Sequence, residues 1–155
     1  MSFQVSALDA ASFAHLFGQS DAALATRGAR AYVVDRSPGF PCRITLEDAP
    51  LGERVILVNH EHVPGDTPYR SRHAIFVRDG AVSARPLAGE LPGYLTRRLL
   101  SVRGFDAESM MTDAEVVDGP ELRPLIERLF RVPRTVRLHV HTARQGCYLA
   151  AVERA

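Results

Sequence analysis

A chain of 155 residues, 46% apolar and 24% charged, has the composition of an ordinary globular domain, which excludes a disordered or low-complexity segment. A formal net charge of +1 is not the strongly basic footprint of a nucleic-acid-binding domain, so no nucleic acid is expected as a partner. No apolar run reaches the roughly 18 residues that cross a bilayer, and residues 1–6 lack a charged-then-apolar leader, so a cytoplasmic protein with no membrane partner is expected.

Residues 3–7 predict a short first strand. Asp9 is placed to cap a helix running to about Gly18, with Phe13, Leu16 and Phe17 at i, i+3 and i+4. Ser20 and Asp21 open a second short helix that Gly28 stops. A strand over 30–35 follows, then a loop marked by Pro38, Gly39 and Pro41, then a strand over 42–46. Residues 54–60 carry Val55, Ile56, Leu57 and Val58 in succession, the pattern of a central strand covered on both faces. Asp79-Gly80 between 72–78 and 81–87 predicts a hairpin, because glycine accepts the positive φ of a tight turn. A short helix over 92–100 leads into strands over 99–105 and 110–117. The clearest helix spans about 120–131, with Leu122, Leu125, Ile126, Leu129 and Phe130 along one face. Strands over 135–142 and 147–153 close the chain. Strands outnumber helices and do not alternate with them. The expected class is therefore α+β: a single domain over 1–155 with a mostly antiparallel or mixed sheet, N-terminal helices and one amphipathic helix in the C-terminal half.

The polar residues that can carry chemistry fall in a few segments. His139 and His141 are two apart on a predicted strand and share a face, while Leu138 and Val140 share the other. With Arg137 they form a stripe that either lines a pocket or faces water. His60 and His62 end the central apolar strand and share a face if it persists that far. His15, on the first helix, is expected to be half-buried. Histidine, cysteine and carboxylate are the usual zinc ligands, and a catalytic site needs three. His139 and His141 with Cys147, or with His60, His62 and Glu61, supply that number. No HExxH or paired CxxC pattern accompanies them, so a zinc-type metal stands as one alternative.

Cys42 follows Pro41 and precedes Arg43; Cys147 follows Gly146. In a reducing compartment the two are expected as thiols rather than a disulfide. A neighbouring cation or imidazole would make either one nucleophilic, whereas buried structural thiols are the simpler reading, since free cysteine is among the most buried residue types. Segment 67–73 gathers Thr67, Tyr69, Arg70, Ser71, Arg72 and His73 beside Pro68, and with Arg43 it can clamp a carboxylate or phosphate. All 19 basic residues are arginine, so arginine also supplies the ordinary surface charge. Glu47 and Asp48 are read as turn-forming and solubilising residues. No P-loop, GxGxxG or GxSxG pattern occurs.

Pro-Gly-Phe-Pro-Cys-Arg at 38–43, Asp-Thr-Pro-Tyr-Arg-Ser at 66–71 and His-Val-His-Thr-Ala-Arg-Gln-Gly-Cys-Tyr at 139–148 together resemble a bacterial family known as domain of unknown function 1203. The resemblance covers nearly the whole chain. It implies a bacterial domain of about this length and no particular activity or substrate.

The leading expectation is a pocket for a small anionic molecule. Arg43, Tyr69 and Arg70 would hold the charged group, His60, His139 and His141 would line the pocket, and Cys42 or Cys147 would form its floor. The alternatives are a metal-assisted or thiol-dependent hydrolase, with His139, His141 and Cys147 as metal ligands, and a homodimeric structural or interaction protein paired through an edge strand.

Overall fold

The computed structural model describes residues 2–155. The class is α+β, as expected, but the strands form two five-stranded sheets rather than one. In chain order they are β1 (Phe3–Ser6), β2 (Arg30–Val33), β3 (Pro41–Cys42), β4 (Glu47–Asp48), β5 (Arg54–Val63), β6 (Ser71–Arg78), β7 (Leu99–Phe105), β8 (Met111–Asp118), β9 (Arg137–Thr142) and β10 (Tyr148–Arg154). The first sheet runs β1-β10-β9-β7-β8 and is antiparallel throughout. The second runs β2-β5-β6-β3-β4, with β3 parallel to β6. Three short helices accompany them: α1 (Asp21–Ala25), α2 (Gly93–Thr96) and α3 (Leu122–Leu129).

The first sheet buries one face under α2 and α3. Strict alternation puts Leu138 and Val140 of β9, Leu100 and Val102 of β7, and Val152 of β10 on that face. There they meet Leu122, Leu125, Ile126 and Leu129, the apolar stripe expected of α3. Burying a leucine-sized side chain contributes about 1.5–3 kcal/mol, so this stripe anchors the helix despite its short length. The opposite face of β9 carries His139 and His141 and turns toward the second sheet.

The strand expected over 42–46 is only the two-residue β3, followed by a turn through Leu46, and three further expectations need correction. The helix expected from Asp9 to Gly18 is two 3₁₀ turns, Ala10–Ser12 and Ala14–Leu16. Asp9 does cap the first, accepting from the Ala11 N–H at 3.0 Å. The turns suffice because Phe13 and Leu16 reach the second sheet's apolar cluster, where Leu24 of α1 joins them. The hairpin expected across Asp79-Gly80 does not form: β6 ends at Arg78 and 81–87 carries no strand. Gly80 adopts φ +74° as foreseen. However, the Asp79 carboxylate ties the turn backward, to Arg54 at 2.6 Å and the Gly18 N–H at 3.0 Å. Segment 81–87 then meets the N-terminal turns instead of β6, with Ser83 Oγ accepting from the Ala10 N–H. Finally, Asp48 is no solvated turn residue: its carboxylate is buried and takes both Arg97 and Arg98.

A close approach fixes the entry to α3. A Cβ on Gly119 would stand 2.1 Å from the Thr96 carbonyl oxygen, which is backbone at the end of α2. Neither chain segment can yield easily, so Gly119→Ala should destabilise the protein by about 3 kcal/mol. Urea denaturation of the variant checks this, and a cost under about 0.5 kcal/mol would show that α2 moves freely.

Candidate metal centre

The second sheet supplies the other half of the site through a change of character along one face. Ile56 pairs with Val77, Val58 with Ile75 and His60 with His73. The first part of this face is apolar and covered by Phe13, Leu16 and Leu24. The far part presents histidine. Between Glu61 and Val63 the ladder slips, since Glu61 pairs with Arg72 and Val63 with Ser71. His62 is thus an extra residue in β5, and such bulges re-aim side chains. A second irregularity falls opposite, where Tyr148 pairs with His141 and Ala150 with Val140. The two bulges bring His62 and Tyr148 together, their rings stacked at 5.6 Å and 13°.

His62, His139 and His141 converge between the sheets. One ligating atom from each lies within 4.8 Å of the others. His139 is 5% exposed and His141 1%, so these two rings of the stripe read from the sequence do not face bulk water. Each ring has a buried nitrogen with no hydrogen-bond partner among the described residues: Nδ1 of His62, Nδ1 of His139 and Nε2 of His141. The other nitrogen of His141, Nδ1, lies 2.9 Å from the Gly146 carbonyl oxygen. It can only donate there, so the proton sits on Nδ1 and Nε2 carries a lone pair.

Burial holds all three rings neutral. Desolvation lowers His62 to about 4, with the positive charges of His60, Arg103 and His73 adding to the effect. Desolvation lowers His139 to about 3, helped by the neighbouring histidines and by Arg137 and Arg103. His141 also falls to about 3 by desolvation, against the opposing pull of the Gly146 carbonyl. Neutral imidazole is the metal-ligating form. A tetrahedral zinc with bonds of about 2.0–2.1 Å would need its nitrogens about 3.3 Å apart, closer than the 4.8 Å within which they lie here.

The remaining residues expected at a site are spread over several places. Cys147 stands apart from this trio; its Sγ lies 3.2 Å from His73 Nδ1, and burial pushes the thiol up. Cys42 is fully buried, and its sulfur accepts from the Arg78 N–H at 3.2 Å. His60 contacts Phe13 and Tyr148 at 6.0 and 5.8 Å. Tyr69 packs edge-on to Phe105, and Arg70 is bound to Glu61 at 2.6 Å. Arg43 is 2% exposed; its Nε donates to the Tyr148 carbonyl and its Nη1 to that of Pro41, both at 2.7 Å. Arg43 and Cys147 line one cavity of about 280 Å³ with Gln145, Thr142 and Phe76, and neither Tyr69 nor Arg70 reaches its wall. Sequence reasoning gave no role to Arg103 or Tyr148, the site's other neighbours. The two-residue spacing of a strand could have linked Arg103 to Ser101, but nothing local announced that β7 lies beside β9.

Among the described residues no helix is long and apolar enough to cross a membrane. No curated protein and no solved structure matches the chain. The three polar segments that suggested a family fall, apart from Pro38, in the matched region: residues 39–154, rather than nearly the whole chain, fit the family model described as Protein of unknown function (DUF1203), and the chain is a member of that family.

Proposed function

We propose that the protein is a metal-assisted hydrolase whose centre is a zinc-type ion held by His62, His139 and His141. The observation that carries this reading is the convergence of three buried imidazoles, each with an unpartnered nitrogen. One unpaired buried polar atom costs about 1–3 kcal/mol. Three such atoms in one place make an expensive arrangement, and one metal ion satisfies all of them. Three protein ligands leave a fourth position for water or substrate, the pattern of catalytic rather than structural zinc. Held by these three histidines, a zinc-type ion would supply Lewis-acid activation of a bound water near neutral pH. His141 is oriented by Gly146 as metal-bound histidines commonly are by a backbone carbonyl.

Dialysis of chelator-stripped protein against Zn²⁺ or Co²⁺, followed by elemental analysis, tests the reading. One ion per chain is expected, and His139→Ala and His141→Ala should bind none. Retained stoichiometric binding in both variants would move the ion elsewhere.

A second reading, a pocket for a small anion, is supported by Arg43. Its guanidinium is buried, pairs with no carboxylate among the described residues, and lines the cavity that holds Cys147. Acetate or a larger monocarboxylate at 10 mM (roughly the range of weak anion sites) should slow iodoacetamide alkylation of Cys147 in the wild type and not in Arg43→Gln. Equal rates with and without carboxylate would remove this pocket from consideration.

A further inference from the structure

Arg103 lies on the histidine face of the first sheet. In β7 it pairs directly with His139 on one side and with Ala114 of β8 on the other. Directly opposed residues in antiparallel strands put their Cβ atoms about 4.5–5.5 Å apart on the same face. Arg103 is half-buried, and among the described residues no hydrogen bond or ion pair engages its guanidinium. What sets it apart from the other unpaired arginines is its place, directly beside His139 on the face where the three histidines converge.

Imidazole ligates a metal in its neutral form, so an ion of charge +2 held by three histidines would keep its full charge. Arg103 adds a further positive charge. The nearest acidic side chain on β5, Glu61, is engaged by Arg70. A partly desolvated site with such an excess of positive charge calls for a counter-charge. Guanidinium presents a planar fork of donors that matches an oxyanion with two accessible oxygens.

We infer that the fourth position of the metal takes an oxyanion, a carboxylate or phosphate group of the substrate, with one oxygen on the metal and the others held by Arg103. The inference rests on the metal reading above and names the substrate class it serves. Arg103 is then a binding residue that fixes the orientation of the group presented to the metal. Lysine in its place would keep the charge and lose the fork.

Cobalt-loaded protein supplies the test, because the visible absorption of Co²⁺ reports changes in its ligands. Inorganic phosphate and acetate are titrated separately into the wild type, Arg103→Gln and Arg103→Lys, with cobalt content measured in each. The wild type should respond saturably to at least one anion. Arg103→Gln should keep one cobalt per chain and bind that anion at least tenfold more weakly, and Arg103→Lys should fall between them. A preference for phosphate or for acetate assigns the group. If Arg103→Gln holds cobalt and binds the anion as the wild type does, the inference is overturned and the metal reading stands. If wild-type cobalt protein shows no response to either anion, the inference is likewise overturned. If the wild type takes up no cobalt, the metal reading falls and the inference with it.

Discussion

Zn²⁺ held at a free concentration about 1,000 times its dissociation constant should raise the melting temperature of the metal-free protein by about 10 °C. A ligand that binds only the folded state stabilises it by about 4.1 kcal/mol when present at 1,000 times its dissociation constant. For a chain of this size each kcal/mol shifts the midpoint by about 2–4 °C. The three ligands come from β5 and β9, in different sheets, so the unfolded chain has no preformed site. His139→Ala and His141→Ala should abolish the increment. Their metal-free forms should lose less than a typical core truncation, because each substitution also removes an unpartnered buried nitrogen. Differential scanning calorimetry with and without zinc separates the two effects. A midpoint indifferent to zinc, cobalt and chelator would refute the centre.

The second large effect is a loss of stability on acidification of the metal-free protein. His139 and His141 are both lowered to about 3, whereas in the unfolded chain each titrates near the ordinary 6.5. Between those values the unfolded chain binds protons that the folded chain refuses, so stability is full above about pH 6.5 and falls as the pH drops toward 3. Two such groups give a slope of about 3 kcal/mol per pH unit at most. His62, lowered to about 4, adds a smaller amount because it is more exposed to solvent. Against a total stability of about 5–15 kcal/mol, this predicts acid unfolding near pH 4–5. Urea midpoints from pH 7 to pH 4 should show the slope, and a His139→Gln, His141→Gln double variant should flatten it. A flat wild-type profile across this range would mean that the rings are hydrated.

What the sequence disclosed and what it concealed follow from how far each signal reaches along the chain. The face of α3 was legible because five apolar residues repeat at helical spacing within one segment. Strands β1, β2 and β5 to β10 were legible in position from alternation and turn residues, with β5 running to Val63 rather than stopping at His60. The division into two sheets was not, because pairing partners such as β1 and β10 lie at opposite ends of the chain. The short 3₁₀ turns replaced a helix because Phe13 and Leu16 need only reach a neighbouring cluster, which local periodicity cannot register. At the site, the His139–His141 pair was visible from its spacing. Its third member was ambiguous among His60, Glu61, His62 and Cys147, because a slip in the ladder is decided by the partner strand. Arg103 was invisible for the same reason: its significance comes from standing beside His139.

The bulge in β5 has a consequence for how such a centre is inherited. Glu61 and Val63 each find their places in the ladder, and His62 is the surplus residue between them. A lineage that lost that one codon could restore a regular ladder, keep both sheets and the α3 core, and be left with two histidines facing a gap. One that regained it would recover the third ligand in a single event. On the metal reading proposed above, the centre would thus be separable from the scaffold, its chemistry turning on one inserted residue rather than on a rebuilt core.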